Sequence, residues 1–399
     1  MAKKSCAILL TVLFMFLTCC CASAKDPADS KPAGLKYVSA FDGGKLYSAG
    51  KIKVVELTGD YRRMGRQYGA LLRNDLQAMH RKIGEVFLQK SKVPPDQLAV
   101  VARAIFDRYP QRYREILHGM ADTSGLGLDK VLLVNAVEWF PKIDRLSFGH
   151  CSGIAAWGPY TNQGPLVFGR NNDDDPLYFD FADLMVVAVF KPNDGSIPTA
   201  LINYAGVIYN ATGMNADGLF LELNAGPWLG FSLERVSIFT TLFSYLQEYH
   251  NLEEFDRAMR STLVDLCSII NVADPSRAYS YECSLHDTRR RDHDEEGIIA
   301  AANAFSLPGW YMSPLHPSVE PDQSQVRKSN LLALGAKHKG ALSPAVMMDI
   351  LNVPITEGGA THKGTIYQVI AVPEQLKVWL KMPGLQDWTE IPLKPLFKK

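Results

Sequence analysis

Seven cysteines occur in the 399 residues, and four of them (Cys6, Cys19, Cys20, Cys21) precede residue 25. Of the other three, Cys151 opens the stretch GHCSGIAAWGPYTNQGPLVFGRNNDD, Gly149 to Asp174. An apolar run from Ile154 to Trp157, a Gly/Pro/Asn-rich turn from Gly158 to Gly164 and a second run ending in Arg170 read as a β-hairpin. With the turn centred near Thr161, Cys151 falls opposite Arg170 and Asn171, and Asp173 lies just past the strand end. A thiol, a guanidinium and a carboxylate then meet at one end of a stiff element. Singly, each has an ordinary explanation as a small buried hydrophobe or a solvated turn.

To act as a nucleophile, Cys151 needs a base and a nearby positive charge, because the thiolate is the attacking species. One solution is a Cys–His pair. His150 is adjacent, but on a strand its side chain points to the opposite face. His362, in Gly358-Gly359-Ala360-Thr361-His362, is the more reasonable distant partner. The papain-like signature around a catalytic Cys is absent. The other solution makes Cys151 the first residue of a new chain, released by attack of its thiol on the carbonyl of His150. Its α-amine, with a reference pKa of roughly 7.7 to 8.0, then deprotonates its own thiol. Arg170 favours the thiolate and Asp173 holds the ammonium.

On these residues the chain resembles N-terminal-nucleophile hydrolases of the penicillin acyltransferase family, related to choloylglycine hydrolases, penicillin V acylases and acid ceramidases. Glu56-Leu57-x-Gly59 with Met64-Gly65-x-x-Tyr68-Gly69 resembles the family's prosegment, and Cys151 with Gly169-Arg170-Asn171 and Asp173 resembles its nucleophile hairpin. Gly213 to Leu219 resembles the hairpin before the oxyanion Asn, here Asn224. Alternation alone puts Phe220, Glu222 and Asn224 on one face of that strand. Ala302-Asn303-Ala304-Phe305 resembles the second active-site Asn segment, and Arg327 the family's late arginine. Two departures are His150, where many relatives place Gly, and Ala304, where a His often stands.

The resemblance implies an α+β fold, an αββα four-layer sandwich of two antiparallel sheets with a helical N-terminal prosegment. It implies that Asn224 and the backbone stabilise the oxyanion and that Asn303 and Arg327 orient the amine or the substrate. It also implies cleavage between His150 and Cys151, hydrolysis of a linear amide such as an N-acyl amino acid or N-acyl amine, and two fragments that stay associated. No metal or organic cofactor is called for, and the histidines show no ligand spacing. The competing readings are an acyltransferase or Cys–His hydrolase on an uncut chain, and a non-catalytic envelope or binding protein that keeps the fold.

The rest of the chain must position these groups. Lys3 and Lys4, the apolar run Ala7 to Leu17 and Ala22-Ser23-Ala24 read as an export signal over 1–24, making the protein periplasmic or secreted. Lipid attachment at Cys20 or Cys21 is the lesser alternative. The run is short of the about 20 residues that span a bilayer. Lys+Arg and Asp+Glu are both 42, which argues against nucleic acid as the main partner and leaves a small-molecule substrate; self-association stays open.

Residues 25–50 read as a flexible lead-in, Lys53 to Leu57 as a strand, and Arg62 to His80 as one amphipathic helix. Three further helices complete a mostly helical segment 25–150. From residue 151 to 399 strands dominate, Val207 to Asn210 among them, and Arg289 to Glu296 reads as a solvated loop. The turn Asp274 to Arg277 brings Cys267 and Cys283 near enough in register to admit a disulfide, which leaves Cys151 unpaired.

Overall fold

The computed structural model describes residues 34–85, 94–140, 151–209, 211–227, 229–310 and 321–398. The expected export signal over 1–24, with Cys20 and Cys21, and His150 of the expected cleavage bond lie outside the described residues.

Strands rich in Val, Ile, Tyr and Phe assemble into two sheets. The first runs, side by side, through β1 (Lys36–Phe41), β2 (Gly44–Ala49), β3 (Ile52–Gly59), β6 (Met185–Pro192), β7 (Thr199–Tyr204), β8 (Thr212–Asn215), β9 (Phe220–Ala225), β10 (Ser268–Ala273), β11 (Ala278–Cys283) and β12 (Thr288–Arg291). The second runs through β13 (Ile298–Ala301), β4 (Ser152–Ala156), β5 (Val167–Asp173), β14 (Thr365–Val372), β15 (Lys377–Met382) and β16 (Gln386–Pro392). The pairings are antiparallel except β3 with β6, where the chain leaves the first sheet, builds helices and the β4–β5 hairpin, and returns in the same direction.

The inner faces of the two sheets meet. Phe168 of β5 lies against Phe220 of β9 with ring centroids 4.9 Å apart, and Arg170 of β5 binds Glu222 of β9. The expected shared face of Phe220, Glu222 and Asn224 is therefore the one turned to the second sheet.

Helices cover the outer faces. On the first sheet pack α1 (Tyr61–Leu71), α6 (Ile238–Glu248) and α7 (Leu252–Met259), while α2 (Arg73–Ile83), α3 (Pro95–Asp107), α4 (Gln111–Ser124) and α5 (Leu128–Asn135) pack on α1 and on one another. Against the second lie α8 (Pro321–Lys337) and α9 (Pro344–Asn352), and α10 (Leu393–Phe397) ends the described chain. The result is the four-layer αββα sandwich expected, carrying one parallel pair. Asp60 starts α1 by accepting the Arg63 N–H at 2.8 Å, and Asn251 starts α7 by accepting that of Glu254 at 3.0 Å.

The glycines of the 64–69 motif serve this packing. A Cβ on Gly65 would lie 2.1 Å from the Ile116 carbonyl oxygen, and one on Gly119 2.2 Å from that of Arg62, so α1 and α4 touch backbone to backbone.

Five expectations change. The 25–50 lead-in holds β1 and β2, so the N-terminal segment extends the first sheet as well as the helical layer. The single helix expected over 62–80 breaks at Leu72 (φ −112°, ψ 23°). Residues 207–209 form a loop, not a strand, because Ile208 N–H goes to the Asn135 side chain and Val207 N–H to Tyr204. The 289–296 run is an exposed loop only from Asp292 on: its first three residues belong to β12, where Arg290 pairs with Asp256 at 2.9 Å and Arg291 with Asp294 at 2.6 Å.

The expected Cys267–Cys283 disulfide is absent, and both thiols are free and buried. Cys283 pairs in register with Ser268, so Cys267 falls one residue short of facing it. Neighbouring positions along a strand point to opposite faces, which defeats the bridge.

Candidate active site

The β4–β5 hairpin forms with Gly153 opposite Arg170 and Ser152 opposite Asn171. This is one residue off the expected register, and it places Cys151 level with Asn172. The shift is small: Asn172 stands level with the cysteine, and Arg170, two residues along on the same face, still reaches the thiol. Cys151 Sγ lies 3.6 Å from Arg170 Nη2, 3.7 Å from Asn172 Oδ1 and 3.6 Å from the Asp173 carbonyl oxygen.

Burial pushes the Cys151 thiol up to about 12, while Arg170 pulls the other way. The uncut chain thus holds this sulfur as a thiol despite the adjacent guanidinium. A cavity of about 30 Å³ touches it, walled by Glu138, Arg170, Asn172, Asp174, Tyr204, Phe239 and their neighbours. That volume suits about one water molecule.

Arg170 points into the space between the sheets. Its Nη1 donates to Glu222 Oε2 and to the Leu223 carbonyl, each at 3.0 Å, and its Nη2 donates to Asn172 Oδ1 at 2.6 Å. On the same strand Asn171 points the other way, donating to Ser152 Oγ at 3.3 Å and accepting from Gln368 at 2.9 Å.

Asp173 is completely buried at the end of β5. Among the described residues, neither of its carboxyl oxygens accepts a hydrogen bond. Its ionic contacts are Arg327 Nη1 at 3.7 Å and His362 Nε2 at 3.4 Å. The Nδ1 of His362 accepts the Gly364 N–H at 3.0 Å, which leaves Nε2 as the ring's donor toward Asp173.

Arg327, from α8, ties this corner together. Its Nη1 donates to the Cys151 carbonyl at 3.0 Å and its Nη2 to Asn303 Oδ1 at 2.9 Å. Asn303 in turn donates from Nδ2 to the Ala225 carbonyl at 2.8 Å, and its own N–H goes to Ser324 Oγ at 2.7 Å. So Asn303 clamps the guanidinium and the end of β9 at once. Asn224, one residue earlier on β9, has its Nδ2 3.4 Å from Glu222 Oε1, and its buried Oδ1 has no partner among the described residues. Among the described residues its Nδ2 has no second acceptor.

The structure therefore gathers Cys151, Arg170, Asp173, Asn303 and Arg327 into one connected set, with Asn224 joined to it through Glu222. Glu222, Asn172 and Asn271 belong to the same network and were missed in the sequence. The signal for Glu222 was present: a lone acid in the apolar strand Leu219-Phe220-Leu221-Glu222-Leu223. Among the described residues, no group of three or more His, Cys, Asp or Glu is arranged to hold a metal ion, and no helix is long and apolar enough to cross a membrane.

No protein-family model matches the chain, and no curated relative matches it. Solved structures similar to it include the Caenorhabditis elegans N-acylethanolamine-hydrolyzing acid amidase ortholog, at 16% identity over 59% of this chain and 95% of that one, with a TM-score of 0.43. A variant of the conjugated bile acid hydrolase from Clostridium perfringens aligns at 13% identity over 62% and 95%, with a TM-score of 0.46. Penicillin V acylase from Agrobacterium tumefaciens aligns at 11% identity over 61% and 86%, with a TM-score of 0.40.

Proposed function

We propose that this chain is an exported precursor that cuts itself between His150 and Cys151 and then hydrolyses a linear amide, an N-acyl amino acid or related N-acyl amine. The observation that carries the reading is Asp173: a fully buried carboxyl group whose oxygens accept no hydrogen bond among the described residues, next to Arg327, which holds the Cys151 carbonyl. Such a group is costly unless a donor arrives, and the ammonium of a newly freed Cys151 supplies one.

In the cutting step the Cys151 sulfur adds to the His150 carbonyl carbon and the C–N bond breaks, leaving a thioester at sulfur and an amine on Cys151. Water hydrolyses the thioester, so residue 150 ends in a carboxylate and residue 151 in a free amine. In turnover that amine takes the thiol proton, sulfur attacks the substrate carbonyl, and Asn224 Nδ2 with backbone N–H groups stabilises the oxyanion. The proton passes to the leaving amine. Water then releases the acid from the acyl-thioester enzyme. Arg170 tunes the thiol, and Arg327, clamped by Asn303, fixes the Cys151 carbonyl.

Intact-mass analysis after expression tests this. Wild type should give fragments that part before residue 151, and Cys151→Ala should remain one chain. A Cys151→Ala chain cut at the same bond overturns self-cleavage. Purified, cut protein is then assayed on a chain-length series of N-acyl amino acids and amines; absence of any turnover overturns the amidase reading in favour of a binding protein.

A further inference from the structure

Glu222 is completely buried between the two sheets. Its Oε1 accepts from Asn271 Nδ2 at 2.6 Å and faces Asn224 Nδ2 at 3.4 Å; its Oε2 accepts from Arg170 Nη1 at 3.0 Å. Glycine at position 153 makes the space. A Cβ there would fall 2.0 Å from Glu222 Oε1. Gly153 is also the residue paired with Arg170 across the hairpin. The acid on one sheet and the gap on the other are thus matched, and a plain apolar pair at these positions would pack without either.

Arg170 is equally buried and extends its other nitrogen, Nη2, to the Cys151 sulfur. A buried guanidinium with no counter-charge is strongly unfavourable. From this geometry we infer that Glu222 is a positioning residue: it neutralises Arg170, aims Nη2 at Cys151, and through the same carboxylate orients Asn224. The nucleophile's cation and the oxyanion amide are then set by one group that touches neither sulfur nor substrate. The inference rests on Cys151 being the nucleophile.

The test is alkylation of Cys151, read by peptide mass spectrometry, with neutral iodoacetamide and anionic iodoacetate on wild type and Glu222→Gln. The amide keeps the size and an acceptor while removing the charge, so Arg170 becomes an uncompensated cation beside the sulfur. The iodoacetate-to-iodoacetamide rate ratio should rise about fivefold or more. A loss of packing alone accelerates both reagents together and leaves the ratio unchanged. A ratio within about twofold of wild type overturns the inference while leaving the nucleophile assignment intact. A Cys151 that resists both reagents in both proteins sinks the nucleophile assignment and this inference with it. Should Glu222→Gln not fold, Gly153→Ala displaces the same carboxylate and should move the ratio in the same direction; an unmoved ratio there is the overturning result.

Discussion

Arg170 and Asp173 sit three residues apart on one strand and serve the same cysteine from opposite faces of the sheet. Arg170 meets the Cys151 sulfur from the inner side at 3.6 Å, while Asp173 turns outward to Arg327, which holds the Cys151 carbonyl at 3.0 Å. An odd spacing on a strand divides the work in this way, one group for the side chain and one for the backbone.

Asp173→Asn tests the outward half. A carboxylate beside an ammonium raises the amine's pKa, so its removal lowers it, typically by about 1 to 3 units. The acid limb of the pH profile of kcat/KM in the cut enzyme should move to lower pH, with kcat falling about 100-fold as the amine loses its anchor. A profile whose acid limb stays in place separates Asp173 from the amine.

Arg170 and Glu222 should be strongly coupled in stability. Removing one partner of a buried ion pair costs about 3–5 kcal/mol, whereas replacing both with apolar residues is close to neutral. Arg170→Met should therefore lose stability in urea titration, and Arg170→Met with Glu222→Leu should recover most of that loss. Additive losses would contradict the pairing.

His362 distinguishes the two kinds of base. Its contact is with Asp173, and His362→Gln preserves a donor there. On the α-amine mechanism kcat/KM should fall by no more than about tenfold, the scale of a lost supporting contact. A fall of about 100-fold or more, the scale of a lost general base, would instead favour a Cys–His enzyme.

Asp265 should imprint a pH dependence on stability. It is buried, accepts the Ile238 N–H at 2.9 Å, and burial pushes its carboxyl up to about 7. The folded value lies above the unfolded one of about 3.9, so its contribution is complete below about pH 4 and is lost as pH rises through about 7. Asp265→Asn should flatten the stability curve over that window by an amount on the order of 4 kcal/mol, measured by chemical denaturation at pH 4.5 and pH 8. Parallel curves for the two proteins would refute it.

Gly65→Ala should destabilise by about 1–3 kcal/mol, since the added methyl meets the Ile116 backbone at 2.1 Å and the helices must separate. Thermal melts of wild type and variant check this; an unchanged Tm would mean that α1 and α4 do not touch there.

Much of the site was visible in one dimension because its groups are local. The hairpin from Cys151 to Asp173 carries its own turn chemistry and alternation, and β9 shows its Glu222/Asn224 face in the same way. Hydrophobic period and turn residues act over a few positions, so they determine such elements wherever they pack. What they leave open is which distant strand lies across the gap. The 3.0 Å bond from Arg170 to Glu222, the grip of Arg327 on Cys151 and Asn303, and the joining of β3 to β6 in parallel all link residues far apart in the chain. Tertiary packing alone decides these, because a buried charge finds its partner only when two sheets close over it.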